Sequence, residues 1–195
     1  MLETQIREWK PTAEAEALYR KWIAYLNDQF TQNPGPEQRA EVVRDELYQI
    51  YLGRPHAGKG NAGLTSEMGS RVLAASFDPF NATIGLESRD DLDPERFDPI
   101  RPLIWFWQMF DRSPLGINYW LGYRFRCMLG HHIFRHMGKG VKICPDVRFT
   151  CVYNLAIEDN VTIGRGAIID DSNELTIPSG TKIPAGARYP ELERR

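Results

Sequence analysis

Residues 141–188 read VKICPDVRFTCVYNLAIEDNVTIGRGAIIDDSNELTIPSGTKIPAGAR, and their spacing decides the fold. Bulky apolar side chains fall at Ile143, Phe149, Ile157, Ile163, Ile169, Ile177 and Ile183, in steps of six, eight, six, six, eight and six. Any three successive steps span 20 residues, so a chain returning to the same wall at that interval stacks Ile143, Ile163 and Ile183. Phe149 then stacks on Ile169, Ile157 on Ile177, and Leu155 on Leu175 within the longer steps. Four residues after several anchors comes a small or branched side chain (Val147, Val161, Ala167, Thr181, Ala187) that fits a narrow interior. Asp159-Asn160, Gly164, Gly166, Gly180 and Gly186 sit where the backbone must turn a corner. An antiparallel meander would alternate apolar and polar residues between hairpin turns and would not hold a constant offset. The spacing therefore predicts a three-sided parallel coil with one enlarged corner.

Strands stacked ~4.8 Å apart give little more than two coils, a prism on the order of 10 Å tall, whose two ends need covering. Upstream, Trp105, Phe106, Trp107, Phe110, Tyr119 and Trp120 open an aromatic-rich stretch that runs to Met137. Within it, Ile117, Trp120, Leu121, Phe125, Met128, Leu129 and Ile133 recur at helical steps beside Arg124, Arg126 and Arg135. Such a helix covers either the open end of the coil, the favoured reading, or a membrane headgroup region. At the other end Pro178, Pro184 and Pro190 recur every six residues and remove backbone donors, with charges at Glu191, Glu193, Arg194 and Arg195. This pattern predicts that the coil stops there.

The run GKGVKICPDVRFTCVYNLAIEDNVTIGRGAIIDDSNELTI resembles the first coils of hexapeptide-repeat acyltransferases, most closely the O-acetyltransferases that decorate bacterial cell-surface polysaccharides. In that family, too, an aromatic-rich helix ends in a Gly-Lys-Gly turn before the β-helix. The resemblance spans about residues 116–188. It implies a left-handed β-helix, a homotrimer with sites at the subunit clefts, an acyl-CoA such as acetyl-CoA as donor, and a sugar or other hydroxyl as acceptor. The fold class expected is thus α+β, an N-terminal helical region followed by a short left-handed parallel β-helix of hexapeptide repeats.

The chain departs from the family at its chemistry. There a His on a later coil takes the proton from the acceptor hydroxyl, whereas this chain has no His beyond His136. Asp170 and Asp171, at the enlarged corner, are weak candidate bases, and a polar solvent loop is their ordinary role. His132 and His136 lie four apart on the expected helix, the geometry of a metal pair, but no third ligand is near, so no metal site is expected. The missing coil histidines also exclude the zinc-binding carbonic anhydrase branch of the family. Two functions follow: a CoA-dependent O-acyltransferase, or a non-catalytic relative serving as trimerisation or scaffold module.

The remainder of the chain divides into a helical hairpin (1–55), an irregular linker (56–100), the aromatic cap (101–140), the coil (141–188) and a polar tail (189–195). In the hairpin, Thr12 caps a helix from Ala13 to Phe30 with Leu18, Trp22, Tyr25 and Leu26 inward. Pro36 opens a second helix with Val43, Leu47, Ile50 and Tyr51 inward, stopped by Gly53 and Pro55. Gly58-Lys59-Gly60-Asn61-Ala62-Gly63 matches the letters of a dinucleotide loop but not its strand-to-helix context, and reads as linker. The acidic run Glu87 to Asp98 lacks calcium-loop spacing and reads as a solvated face.

With 24 Lys and Arg against 26 Asp and Glu, the formal charge of -2 provides no field that would recruit nucleic acid. Three cysteines without a CxxC pair, and no signal-peptide core, point to a reduced, cytoplasmic protein. A peripheral contact with the inner membrane is the alternative use of the aromatic segment 103–137. Leu103 to Phe110 falls far short of the roughly 20 apolar residues a span requires.

Overall fold

A computed structural model describes residues 10–54, 56, 68–83 and 92–190. Among the described residues, nine short parallel strands wind through three sheets. Strands β1 (His136–Met137), β4 (Leu155–Ile157) and β7 (Leu175–Ile177) form the first. The second holds β2 (Lys142–Ile143), β5 (Thr162–Ile163) and β8 (Lys182–Ile183), the third β3 (Arg148–Phe149), β6 (Ile168–Ile169) and β9 (Arg188–Tyr189). Each strand pairs with the one 20 residues later, so Ile143, Ile163 and Ile183 share one register and Phe149 and Ile169 another. Ile157 pairs with Ile177 and Leu155 with Leu175. The stack is β-helix-like, and its inward side chains are dry: Ile163, Ile169, Val161 and Ala167 are 0% exposed.

Two boundaries differ from the sequence reading. The coil starts at His136-Met137, not at Val141, because Met137 occupies the register of Ile157. It runs on through Tyr189, which sits in register with Ile169. The spacing contains both, six before Ile143 and six after Ile183. Met and Tyr simply break the isoleucine series.

The corners repeat as well. Gly140, Asn160 and Gly180 share one left-handed corner position, and Asp146, Gly166 and Gly186 share another. Asn and Asp tolerate this conformation better than other side chains. A Cβ on Gly164 would meet the Ala185 backbone nitrogen at 2.4 Å, so here the corner requires the missing side chain itself.

The aromatic segment forms two helices instead of one, α5 (Arg101–Arg112) and α6 (Tyr119–Ile133), because the turn between them breaks the helical run. Asn118 caps α6 by accepting from the Leu121 N–H, which leaves Ile117 outside it and 67% exposed. Helix α6 lies against β1 and β2 and closes the first coil. Phe149 carries the contact from the other side, with Trp107 at 5.7 Å and Phe134 at 5.3 Å between ring centroids. Trp107 and Trp120 are therefore core, 5% and 3% exposed.

Helix α1 (Ala13–Gln32) packs mainly on α6, and α2 (Pro36–Leu52) mainly on α5. The two are consecutive, but the hairpin is less a self-contained pair than a second layer over the aromatic helices. That shifts the buried face of α1: Leu26 and Phe30 are fully buried, whereas Leu18 and Tyr25 are 64% and 47% exposed. Trp22 stacks on Phe125 at 5.6 Å and donates through Nε1 to Glu46 of α2 at 2.9 Å. The 56–100 stretch is not wholly irregular. It holds α3 (Met68–Ser76) and α4 (Pro94–Phe97), and Phe77 seats between Tyr48 and Tyr51. The Gly58–Gly63 motif, residues 87–91 and the tail from Glu191 lie outside the described residues.

Two outcomes test this architecture. Replacing Ile163, the fully buried anchor of the middle coil, by Ala should cost about 2–5 kcal/mol in urea unfolding. Replacing Pro178 and Pro184 together by Ala adds two N–H donors to an edge where no described strand pairs, and light scattering should show higher-mass species.

Candidate functional site

The enlarged corner places both candidate aspartates. Residues 150–154 and 170–174 stack there, and Asp171, 0% exposed, reaches back under the preceding loop. Its Oδ1 accepts from the Thr150 and Cys151 N–H groups at 2.9 Å each, while its Oδ2 is buried without a partner among the described residues. Burial raises the Asp171 carboxyl above its ordinary range, against the pull of those N–H donors. Asp170 faces the other way. Its Oδ2 pairs with Arg188 at 2.8 Å and its Oδ1 accepts from Ser172 at 2.8 Å, contacts that lower its pKa. Neither is arranged as a base: one is sealed beneath the loop, the other weakened by its guanidinium partner.

The loop above them is pinned from the helical side. Arg96 of α4 donates to Asn154 Oδ1 and to the Tyr153 carbonyl, both at 3.0 Å, and lies 4.3 Å over the Tyr153 ring. Asn154 in turn donates to the Asp171 carbonyl at 3.0 Å. Between these contacts Val152 is held at a φ of 74°, a conformation that β-branched residues avoid.

A second constellation was not evident from the sequence. Arg126, 0% exposed, donates through Nε and Nη2 to Asp111 Oδ1 at 2.8 and 2.6 Å. It also donates to the carbonyls of Gly116 at 3.0 Å and Ile143 at 3.2 Å, and Asp111 Oδ2 accepts from the Asp146 N–H at 3.0 Å. Burial raises the Asp111 carboxyl, opposed by Arg126. One signal for this was present: Arg126 falls in helical phase with Leu129 and Ile133, on the apolar stripe. Beside the pair, a cavity of about 410 Å³ opens between α5 and the first coil.

His132 and His136 do not share a helix, contrary to the expectation from their spacing. His132 lies in the last turn of α6 with Nε2 3.0 Å from Asn27 Oδ1, while His136 lies beyond the helix, exposed on β1. Among the described residues no cluster of three His, Cys, Asp or Glu side chains could hold a metal, and no helix is long and apolar enough to cross a membrane. Cysteine chemistry has little support: burial pushes the Cys127 thiol up to about 11, and Cys151 is 1% exposed.

Comparison of the chain with protein-family models, with curated proteins and with solved structures returned no match.

Two experiments probe the side chains described above. Arg126→Met strands a buried carboxylate and should cost about 3–5 kcal/mol, most of which the double variant Arg126→Met/Asp111→Leu should restore, as read by denaturant unfolding. The aspartates should differ in pH dependence. Asp170, with its lowered pKa, stabilises above the ordinary carboxyl range and loses that contribution as pH falls through its folded value. Asp170→Asn should therefore weaken the protein at neutral pH and be silent in strong acid. Asp171, with its raised pKa, loses its contribution as pH rises through its folded value, so Asp171→Asn should flatten the decline in urea midpoints as pH is raised from below the ordinary carboxyl range.

Proposed function

We propose that the chain is an acyltransferase-type protein of the hexapeptide-repeat kind, with a left-handed coil, acting on a hydroxyl acceptor such as a sugar from an acyl-CoA donor. The observation carrying this reading is the 20-residue parallel register on all three walls, joined to the sequence resemblance of residues 116–188. In this reading the protein is cytoplasmic and trimeric, and the acyl-CoA lies in the cleft between neighbouring solenoids. A peripheral membrane contact of the 103–137 segment would rest on Ile117 and Tyr119, its exposed apolar side chains, since Trp107 and Trp120 are buried.

Acyl transfer requires a base to take the hydroxyl proton while the oxygen attacks the thioester carbonyl and the CoA thiolate leaves. Asp170 and Asp171 are otherwise engaged. Of the four histidines, His136 alone lies on the solenoid, exposed on β1 beside the register of Ala156, and this reading assigns the base to it. Purified protein should then release free CoA from acetyl-CoA in the presence of a sugar acceptor. His136→Ala should lower that rate at least about 100-fold with the melting temperature unchanged. Folded protein that releases no CoA across a panel of sugar acceptors overturns the assignment.

One observation favours a second reading, a non-catalytic trimerisation or scaffold module. Both corner carboxylates are spent on holding the coil together. That reading expects an oligomer whose melting temperature does not respond to acetyl-CoA, and a saturable upward shift excludes it.

A further inference from the structure

Three arginines are buried among the described residues, and two of them have a carboxylate. Arg126 pairs with Asp111, and Arg44 with Asp78 at 2.9 Å and with Glu41. Arg39, 8% exposed, makes no ion pair among the described residues; its Nη1 donates to a neutral acceptor, the Pro99 carbonyl, at 2.9 Å. A guanidinium removed from water without a counter-charge is costly. Its Nε is buried with no acceptor, whereas Nη2, also without an acceptor among the described residues, is not sealed and meets solvent. One edge of this cation is open to a partner that the described chain does not supply.

A second open position lies within its electrostatic reach. His132, half-buried in the last turn of α6, holds Asn27 of α1 through Nε2 at 3.0 Å, and its ring meets the fully buried Phe30 edge-on at 5.9 Å between centroids. With Asn27 Oδ1 as acceptor, the first ring proton sits on Nε2, so protonation places the second on Nδ1. Nδ1 makes no bond among the described residues and is not sealed. Burial lowers the His132 pKa, and the charges of Arg39 and then His131 lower it further. No acidic group acts against them on this ring.

We propose that Arg39 and His132 bind a small divalent oxyanion of the phosphate class between the start of α2 and the end of α6. The site stands independently of acyl transfer. A guanidinium edge and an imidazolium N–H are two charged donors, a set suited to phosphate oxygens. Arg39 also lies near the N-terminus of α2, the helix end that favours an anion. Glu37 and Asp98, the acids closest in sequence to Arg39 and to Pro99, are exposed and pair with neither Arg39 nor His132 among the described residues. Anion and proton then help each other: the anion raises the His132 pKa, and protonation tightens the anion by the same factor. Affinity is greatest below the His132 titration and falls as pH rises through it.

The probe is sulfate, which keeps both charges across the range, titrated into the full chain by calorimetry at an ionic strength held constant with sodium chloride. One saturable site per chain is expected, displaced by inorganic phosphate, with affinity falling at least about tenfold between about pH 5 and about pH 8. Arg39→Gln removes the charge and keeps a polar side chain, and should weaken sulfate at least about tenfold at the acid end with the far-UV spectrum unchanged. A reading on the wild-type chain needs no variant to fold: saturating sulfate should raise the NMR titration midpoint of the His132 ring by about one unit and leave that of the exposed His136 in place. No saturable sulfate heat with folded wild-type protein overturns the proposal. So does an affinity indifferent to pH, undiminished binding by folded Arg39→Gln, failure of phosphate to displace sulfate, or a His132 midpoint that sulfate does not move.

Discussion

The contact on which the assembly turns is the buried pair of Arg126 and Asp111. A guanidinium removed from water is costly unless its donors are met, and here the neighbours of Arg126 come from three places. Asp111 belongs to α5, Gly116 to the turn before α6, and Ile143 to the first coil. The pair thus helps fix the angle at which two helices meet a β-stack that the chain joins to them only through a short turn. Gly116 and Gly122 make room for it. A Cβ on Gly122 would stand 2.6 Å from Arg126 Nη1, and one on Gly116 would stand 2.4 Å from the Phe110 carbonyl oxygen. Polar geometry sets the docking, and the surrounding aromatic rings, with Phe110 and Phe125 stacked at 3.7 Å, supply the apolar area.

The stack faces a different difficulty at each end. At the first coil the exposed interior is covered by α6 and by the rings around Phe149. At the third coil the problem lies in the backbone. Gly138, Cys144 and Thr150 of the first coil donate N–H bonds to the second, and Glu158, Gly164 and Asp170 of the second donate to the third. The next positions in these three series are Pro178, Pro184 and Pro190, which have no N–H to offer. The prolines were legible as a six-residue series, but only the register shows that each stands at a donor position on its own wall.

The enlarged corner shows how a carboxylate that looks available in sequence can be consumed by structure. Two adjacent aspartates in a polar loop suggest solvent. Yet Asp171 turns inward to satisfy the amides of Thr150 and Cys151, one coil earlier, and Asp170 turns outward to Arg188, one coil later. The same corner stores strain at Val152, of order 1–3 kcal/mol, which the packing around it must offset.

By itself the sequence determined the period, and with it the parallel pairing of Ile143, Ile163 and Ile183, because a narrow coil admits only one spacing of inward side chains. It also determined the start of α1 at its Thr12 cap and the end of α2 at Gly53, since capping is local chemistry. Tertiary structure alone decided which face of α1 is buried, because Leu18 and Leu26 are equally apolar and only the position of α6 and α5 distinguishes them. It alone decided that Arg126 is core and that Asp171 is an acceptor for amides 20 residues upstream. The physical reason is the same in each case: a period is written in one chain segment, whereas desolvation depends on which distant segment arrives to exclude the water.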